Sequence, residues 1–286
     1  MPSLPSVPSG PRSTRRAVLA AAGGALSSST GCLGRLGTAP LSVGVAPPNR
    51  PFAVRSRCCT WETADVAGLD VDVARALGDR LGRRVEFVVR TPEALRASPS
   101  AWSFDAAMDG FVVPVDPPPG RRYAAPYLRG FHTVLVPATT TDPDALRGGT
   151  VGVVSDRAAR AAAMLRTAFD GDLRIERVAD GTDETALYEA LGRDVAGVVA
   201  DHVTNGLVAT RSESVRVLQG DGLGPETVDT PALSLGVDEY GVAVAADDPL
   251  GEDLTAALDA LRSDGRLSAF ESAYFTDADL PRRDAV

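Results

Sequence analysis

The sequence predicts an α/β fold. Apolar runs of strand length alternate with amphipathic helical segments along most of its 286 residues. Groups rich in Gly, Pro, Asp and Thr separate these segments. No apolar stretch reaches the roughly 20 residues that a membrane span needs. The length suits about two domains, and a hydrophobic fraction of 44% is ordinary for a globular core.

Leu41–Ala46 is a first strand, ended by Pro47-Pro48. In residues 68–81, Leu69, Val73, Leu77 and Leu81 recur every fourth position beside Ala76, which is one helix face. Asp70 and Asp72 lie in its first turn, where carboxylates suit the helix dipole. Arg84–Val89 is the next strand, followed by a short helix near Pro92–Ala97, a strand Phe104–Met108 and a strand Phe131–Val136. A second series follows the Thr/Asp/Pro loop at 139–144. It runs strand Thr150–Val154, helix Arg157–Phe169, strand Leu173–Val178, helix Glu184–Leu191, strand Val195–Ala200, a helix over 202–210 and strand Val215–Leu218. After a Gly/Pro loop come strand Tyr240–Ala245, helix Leu250–Leu261 and helix Leu267–Phe275, with a frayed tail from Thr276. Strands alternating with helices of this length imply a largely parallel sheet.

All 29 basic residues are arginine; against them stand 38 acidic ones, for a net charge of −9. A nucleic-acid partner is not expected of so acidic a chain. A high-GC genome with a high-salt habitat, where charges are screened within about 3 Å at 1 M, and codon bias alone both account for the balance. Three cysteines are too few for a disulfide scaffold or a four-cysteine zinc site.

Residues 1–31 read as an address. A proline-rich, acid-free leader ends in Arg15-Arg16, and a small-apolar run, Ala17 to Thr30, follows. This is the layout of an export signal, and the adjacent arginines resemble a twin-arginine signal. Cys32, in Ser-Thr-Gly-Cys-Leu-Gly, resembles a lipobox cysteine. That resemblance implies cleavage before Cys32, lipidation of its thiol and an exported, membrane-anchored protein with a linker over 32–40. A plain export signal with an incidental cysteine is the alternative.

The run GLDVDVARALGDRLGRRVEFV (Gly68–Val88) resembles the helix–strand unit of amino-acid-type solute-binding proteins of ABC importers. Val43–Phe52, Phe104–Gly110, Pro126-Tyr127, Leu146–Val153, Val198–Asp201 and Tyr240–Val244 follow in family order, so the similarity covers about 41–275. It implies the two-lobe, type 2 periplasmic-binding-protein-like fold, with a hinge of two crossing strands and a ligand cleft between lobes. Lobe one would be 41–127 plus 240–286, and lobe two 128–236. It also implies capture of a small polar solute by closure, a membrane ABC permease as partner, a monomer, no cofactor, no metal and no catalysis.

Carried onto this sequence, the pocket takes Asn49 and Phe52 after the first strand, then Asp109, Gly110 and Phe111. The second lobe contributes Ser155, Asp156 and Arg157, then Asp201 and His202. Several family positions are substituted. The carboxylate-gripping arginine aligns with Pro117, the neighbouring hydroxyl with Val112, the early acidic residue with Ala46 and the following aromatic with Asn49. Gly110 and Asp201 match, and Asp201 stands where the family holds the ligand amine. Asp201, Asp109 and Asp156 would favour a cationic ligand; Arg157 or the Arg121–Arg122 pair would seat an anion, although that pair reads first as solvated surface charge. A vestigial pocket in a non-transporting sensor is one rival. A dehydratase-like enzyme, with Asp109 or Asp201 as general acid or base, is another. For Asp201, a ligand role and an N-cap before the 202–210 helix stand level.

His132 reads as a hinge or core contact, and His202 as core or pocket lining. Trp61 and Trp102 read as packing residues in preference to caps over the cleft. Cys58-Cys59 are vicinal, with no role assigned.

Overall fold

The computed structural model describes residues 39–55, 66–177, 184–223, 230–276 and 281–282. The expected signal, Cys32, Cys58, Cys59 and Trp61 lie outside the described residues.

Along the chain come β1 (Leu41–Val45), the two-residue strands β2 (Val54–Arg55) and β3 (Val66–Ala67), α1 (Leu69–Leu81), β4 (Val85–Val89), α2 (Pro92–Arg96), β5 (Ala106–Ala107) and β6 (Arg121–Tyr123). Then follow β7 (Leu128–Pro137), β8 (Thr150–Val153), α3 (Asp156–Ala168), β9 (Arg174–Arg177), α4 (Glu184–Ala190), β10 (Gly197–Asp201), α5 (His202–Arg211), β11 (Val215–Val217) and β12 (Leu235–Tyr240). The chain ends through β13 (Ala243–Ala245), α6 (Leu250–Ser263) and α7 (Arg266–Tyr274).

Two main sheets result. The first has the order β4-β1-β5-β13-β6; the second runs β11-β7-β10-β8-β9, with β12 also on β7. β1 is parallel to β4 and β5, and β8 is parallel to β10 and β9. β13 pairs antiparallel with β5 and β6, and β7 pairs antiparallel with β10, β11 and β12. The sheets are therefore mixed, not largely parallel. Each parallel core is flanked by strands that carry the chain across to the other sheet, and these arrive in reverse.

The crossing occurs twice, between β6 and β7 and between β12 and β13. The two passages are tied together: Tyr127 N–H donates to Tyr240 O at 2.8 Å, and Ala124 N–H to Val242 O at 2.9 Å. This is the hinge of two crossing strands. The apolar segment Tyr240–Ala245, expected as one strand, is split by it. Tyr240 closes β12 in one sheet and Ala243 opens β13 in the other. β12 and β6 escape sequence reading because they carry Asp238, Glu239, Arg121 and Arg122 where an apolar alternation would be sought. The frayed tail is also corrected at Pro281, which is buried and bridges Phe275.

Helices cover both sheets. Leu69, Val73 and Leu77 of α1 and Leu254, Leu258 and Leu261 of α6 pack with Leu41, Val43 and Val45. Each such side chain contributes about 1.5–3 kcal/mol on burial. On the other side Leu95 and Phe104 pack with Ala107 and Ala243. In the second sheet, Val151 and Val153 pack against Ala158, Ala162 and Leu165 of α3. Leu135 and Val198 face Leu187. α1 stops at Gly82, whose left-handed φ of 65° brings its N–H back to Asp79 O. With helices on their faces, the sheets leave strand ends and helix N-termini free to build a site.

Candidate functional site

A cavity of about 350 Å³ lies where strand ends from both sheets meet the hinge. From the first sheet it takes Asn49, Arg50 and Phe52 after β1, Arg96 at the end of α2, and Asp109, Gly110 and Val112 after β5. From the second it takes His132 of β7, Ser155 and Arg157 at the start of α3, and Asp201, Val203 and Thr204 at the β10–α5 junction. Asp238 and Tyr240 of β12 complete it.

The turn at 49–53 is closed by paired hydrogen bonds between Asn49 and Ala53. Gly68 gives α1 no side-chain cap. Instead Leu69 and Asp70 N–H donate to Pro51 O and Phe52 O. The turn therefore satisfies the helix start and is held by it.

Asp70 is fully buried. Its Oδ1 accepts from Tyr127 Oη at 2.5 Å and its Oδ2 from Gly110 N at 2.9 Å. One carboxyl thus joins α1, the loop after β5 and the hinge. Burial raises its pKa to about 7, against the lowering effect of those bonds. Gly110 sits at φ 60°, and a Cβ there would fall 2.6 Å from the Phe52 ring. Only glycine lets the ring lie flat on that loop. The ring in turn stacks on Tyr240 at 5.4 Å.

Asp109 accepts from Asn49 Nδ2 at 2.9 Å, and burial raises its pKa to about 6 despite that bond and nearby Arg96. Across the cavity, Ser155 caps α3 by accepting from Ala158 N, and Asp201 caps α5. Asp201 Oδ1 accepts from Thr204 N at 2.9 Å and Oδ2 from Thr204 Oγ1 at 2.7 Å. His132 Nδ1 lies 3.4 Å from Asp238 Oδ2. Burial lowers the His132 pKa, in opposition to Asp238 and Asp201.

Of the expected residues, Asn49, Phe52, Asp109, Gly110, Ser155, Arg157 and Asp201 are brought together here. Three are placed elsewhere. His202 is 1% exposed and stacks on Phe131 at 4.6 Å. It turns inward because it begins α5 on the face packed against β7. Phe111 is buried with Leu95 and Phe104, on the far side of its loop. Asp156 is exposed, paired to Arg177 at 2.5 Å, and faces a neighbouring cavity of about 630 Å³ that also holds Arg157 and Arg160.

Neither Arg121 nor Arg122 lines the cavity, and Arg121 is not a solvated surface charge, whereas Arg122 is partly exposed beside Glu252. Arg121 is buried, donates to Leu95 O and Ala97 O, and lies over Trp102 at 5.4 Å. Arg122 donates to Asp248 O. Trp102 packs on Phe104 at 4.9 Å. Pro117 is exposed and does not line the cavity.

Arg50, Arg96, Thr204, Asp238 and Tyr240 were missed. Arg50 and Thr204 follow strand ends and were open to discovery by that rule; Arg96 ends α2, and Asp238 and Tyr240 lie on β12, of which only Tyr240 fell in an expected strand. Among the described residues no group of three or more His, Cys, Asp or Glu is placed to hold a metal, and no helix is long and apolar enough to cross a membrane.

The model of bacterial extracellular solute-binding proteins, family 3, matches residues 41–277. The chain belongs to this family. Solved structures of similar fold include the second substrate binding domain of a putative amino acid ABC transporter from Streptococcus pneumoniae. It is 16% identical with a TM-score of 0.58, over 80% of this chain and 97% of that one. A mutant arginine-binding protein of Thermotoga maritima is 21% identical with a TM-score of 0.53, over 80% and 92%. The ancestral amino-acid-binding protein described as a precursor of cyclohexadienyl dehydratase is 20% identical with a TM-score of 0.55, over 83% and 95%. No curated protein sequence matches. As a family 3 solute-binding protein, the chain has the two-lobe periplasmic-binding-protein-like fold, in a family that is extracellular.

Proposed function

We propose that the protein is a lipid-anchored solute-binding component of an ABC importer. It captures a small polar solute between a lobe formed by 41–127 with 240–286 and a lobe formed by 128–236, and passes it as a monomer to a membrane permease. The observation that carries this reading is the cavity itself. Its polar lining comes from both sheets and from β12, which ends at the hinge, so a solute touching both sides stabilises closure through differential contacts. No covalent step is needed, and no cofactor enters the reading. Cys32 is the lipid attachment site, and mass spectrometry of membrane-extracted protein should find it modified; an unmodified Cys32 in the mature chain sinks the anchor.

A ligand held by the native state alone raises the melting temperature in proportion to ln(1 + [L]/Kd). A thermal-shift screen of amino acids, polyamines, organic acids and oxyanions in high salt should therefore give at least one upward shift. A flat response across all classes favours a vestigial pocket.

A second reading is supported by Asp109. A cleft carboxyl whose pKa is raised to about 6 suits a general acid, as a dehydratase of small cyclic acids requires. Turnover of prephenate-like acids, followed by absorbance, decides it.

A further inference from the structure

The charged groups of the cavity divide by whether the protein already uses them. The carboxylates are engaged: Asp109 by Asn49, Asp201 by Thr204, and Asp238 by His132. The arginines are less so. The guanidinium groups of Arg50, Arg96 and Arg157 make no hydrogen bond or ion pair with any other described residue, and the charge of Arg96 reaches Asp109 only through space. Carboxylates are not scarce, since the chain has 38 acidic residues against 29 arginines. Elsewhere Arg83 and Arg147 lie on Asp105 and Asp144.

A guanidinium offers five N–H donors and no acceptor. In an open cleft water meets those donors. On closure water leaves, and a donor shut in without an acceptor is costly. A cationic solute would bring more donors to a cavity whose acids already serve the protein. An anion brings acceptor oxygens, and planar or tetrahedral oxyanions match the guanidinium fork. The three arginines come from separate elements, the turn after β1, the end of α2 and the first turn of α3. A solute with more than one acidic group engages them together.

We propose that the solute is a small anion with two or more carboxylate or phosphate groups, gripped by Arg50, Arg96 and Arg157. This rests on the solute-binding reading above and narrows it, away from the arginine for which the Thermotoga maritima neighbour is named. The cavity volume suits a small molecule.

Titration calorimetry on the full chain tests it with three sets of probes. Succinate, glutamate and glycerol phosphate are anionic, arginine and spermidine cationic, and glutamine and glucose carry no net charge. At least one anion should bind. Arg50→Gln, Arg96→Gln and Arg157→Gln should each weaken it by about tenfold or more, while Arg147→Gln, at a surface ion pair, leaves it unchanged. Melts without ligand verify that each variant is folded. Binding by carboxylates alone or by the phosphate ester alone identifies the oxyanion, and either supports the proposal. Binding confined to cations or neutral solutes, or anion binding untouched by all three substitutions, overturns it and leaves the solute-binding reading standing. Silence from every probe overturns that underlying reading.

Discussion

The two sides of the cleft bury titratable groups of opposite kind. On the first-sheet side these are the acids Asp70 and Asp109, with pKa values raised to about 7 and about 6. On the second-sheet side they are His132 and His202, both lowered, His202 to about 4. Desolvation is the leading cause in all four. Each is driven toward its neutral form, which is an acid with its proton on one side and an imidazole without one on the other. The consequences for stability run in opposite directions. An acid whose folded pKa is raised binds its proton more tightly than the unfolded chain does. Its contribution is present at acid pH and is lost as pH rises from about 4 through its folded value. A histidine whose folded pKa is lowered does the reverse, costing stability as pH falls through its unfolded pKa of about 6.5 toward 4. Between pH 4 and 6 the two sides offset one another, and removing either exposes the other.

The largest effect belongs to Asp70→Asn. The amide keeps the geometry, with Oδ1 accepting from Gly110 N–H and Nδ2 donating to Tyr127, but it cannot ionise. Relative to the parent, the variant should gain up to about 4 kcal/mol on going from pH 4 to pH 8, at about 1.4 kcal/mol per pKa unit. Urea melts at the two pH values measure it. An equal gain at both would mean that Asp70 does not titrate in this range.

His202→Phe should break the other side. The ring can still stack on Phe131, and the acceptor for Phe131 N–H is lost, a constant cost of about 1–3 kcal/mol. Superimposed on that cost, the acid-side penalty disappears. Stability at pH 4 relative to pH 7 should improve by about 3 kcal/mol against the parent. A variant that keeps the parent's acid slope would place the titration in another group.

Gly110→Ala probes the joint between the sides, because Phe52 lies on Gly110 and stacks on Tyr240 of the hinge. A left-handed alanine together with a displaced ring should cost about 2 kcal/mol or more at every pH, read as a lowered melting temperature. A variant as stable as the parent would show that the ring has room to move.

The contrast between the sides also explains what the sequence could disclose. Helix faces such as Leu69, Val73 and Leu77 follow directly from periodicity, because packing on a sheet demands it. The order of landmarks made the two-lobe fold readable from Gly68–Val88 onward. β12 and β6 were hidden because hinge and edge strands place charged side chains toward the cleft or a neighbouring helix, so apolar alternation is lost. Arg121 illustrates the difficulty: its burial depends on the Leu95 and Ala97 carbonyls, 26 and 24 positions away, and no local pattern encodes that. The cleft residues after strand ends were accessible by rule. The inward turn of His202 was not, since it depends on which face of α5 meets β7.

The smallest effect separates two roles of one carboxylate. Asp201 caps α5 through Thr204 and lines the cavity. As a cap alone, Asp201→Ala should cost about 1 kcal/mol, while Asp201→Asn, which retains the acceptor, should cost little. The two readings part on ligand binding. For an anionic solute, Asp201→Asn removes a repelling charge and should leave affinity equal or stronger. For a solute that presents an ammonium to this carboxylate, the same substitution should weaken binding by about tenfold or more, since hydrogen bonds to charged groups are the stronger ones. The alanine variant keeps the comparison clean. If it weakens binding while the asparagine variant does not, the cap positions the β10–α5 junction and the charge itself is idle. If both weaken it equally, the charge touches the solute, and the second side of the cleft recognises its ligand through an acid after all.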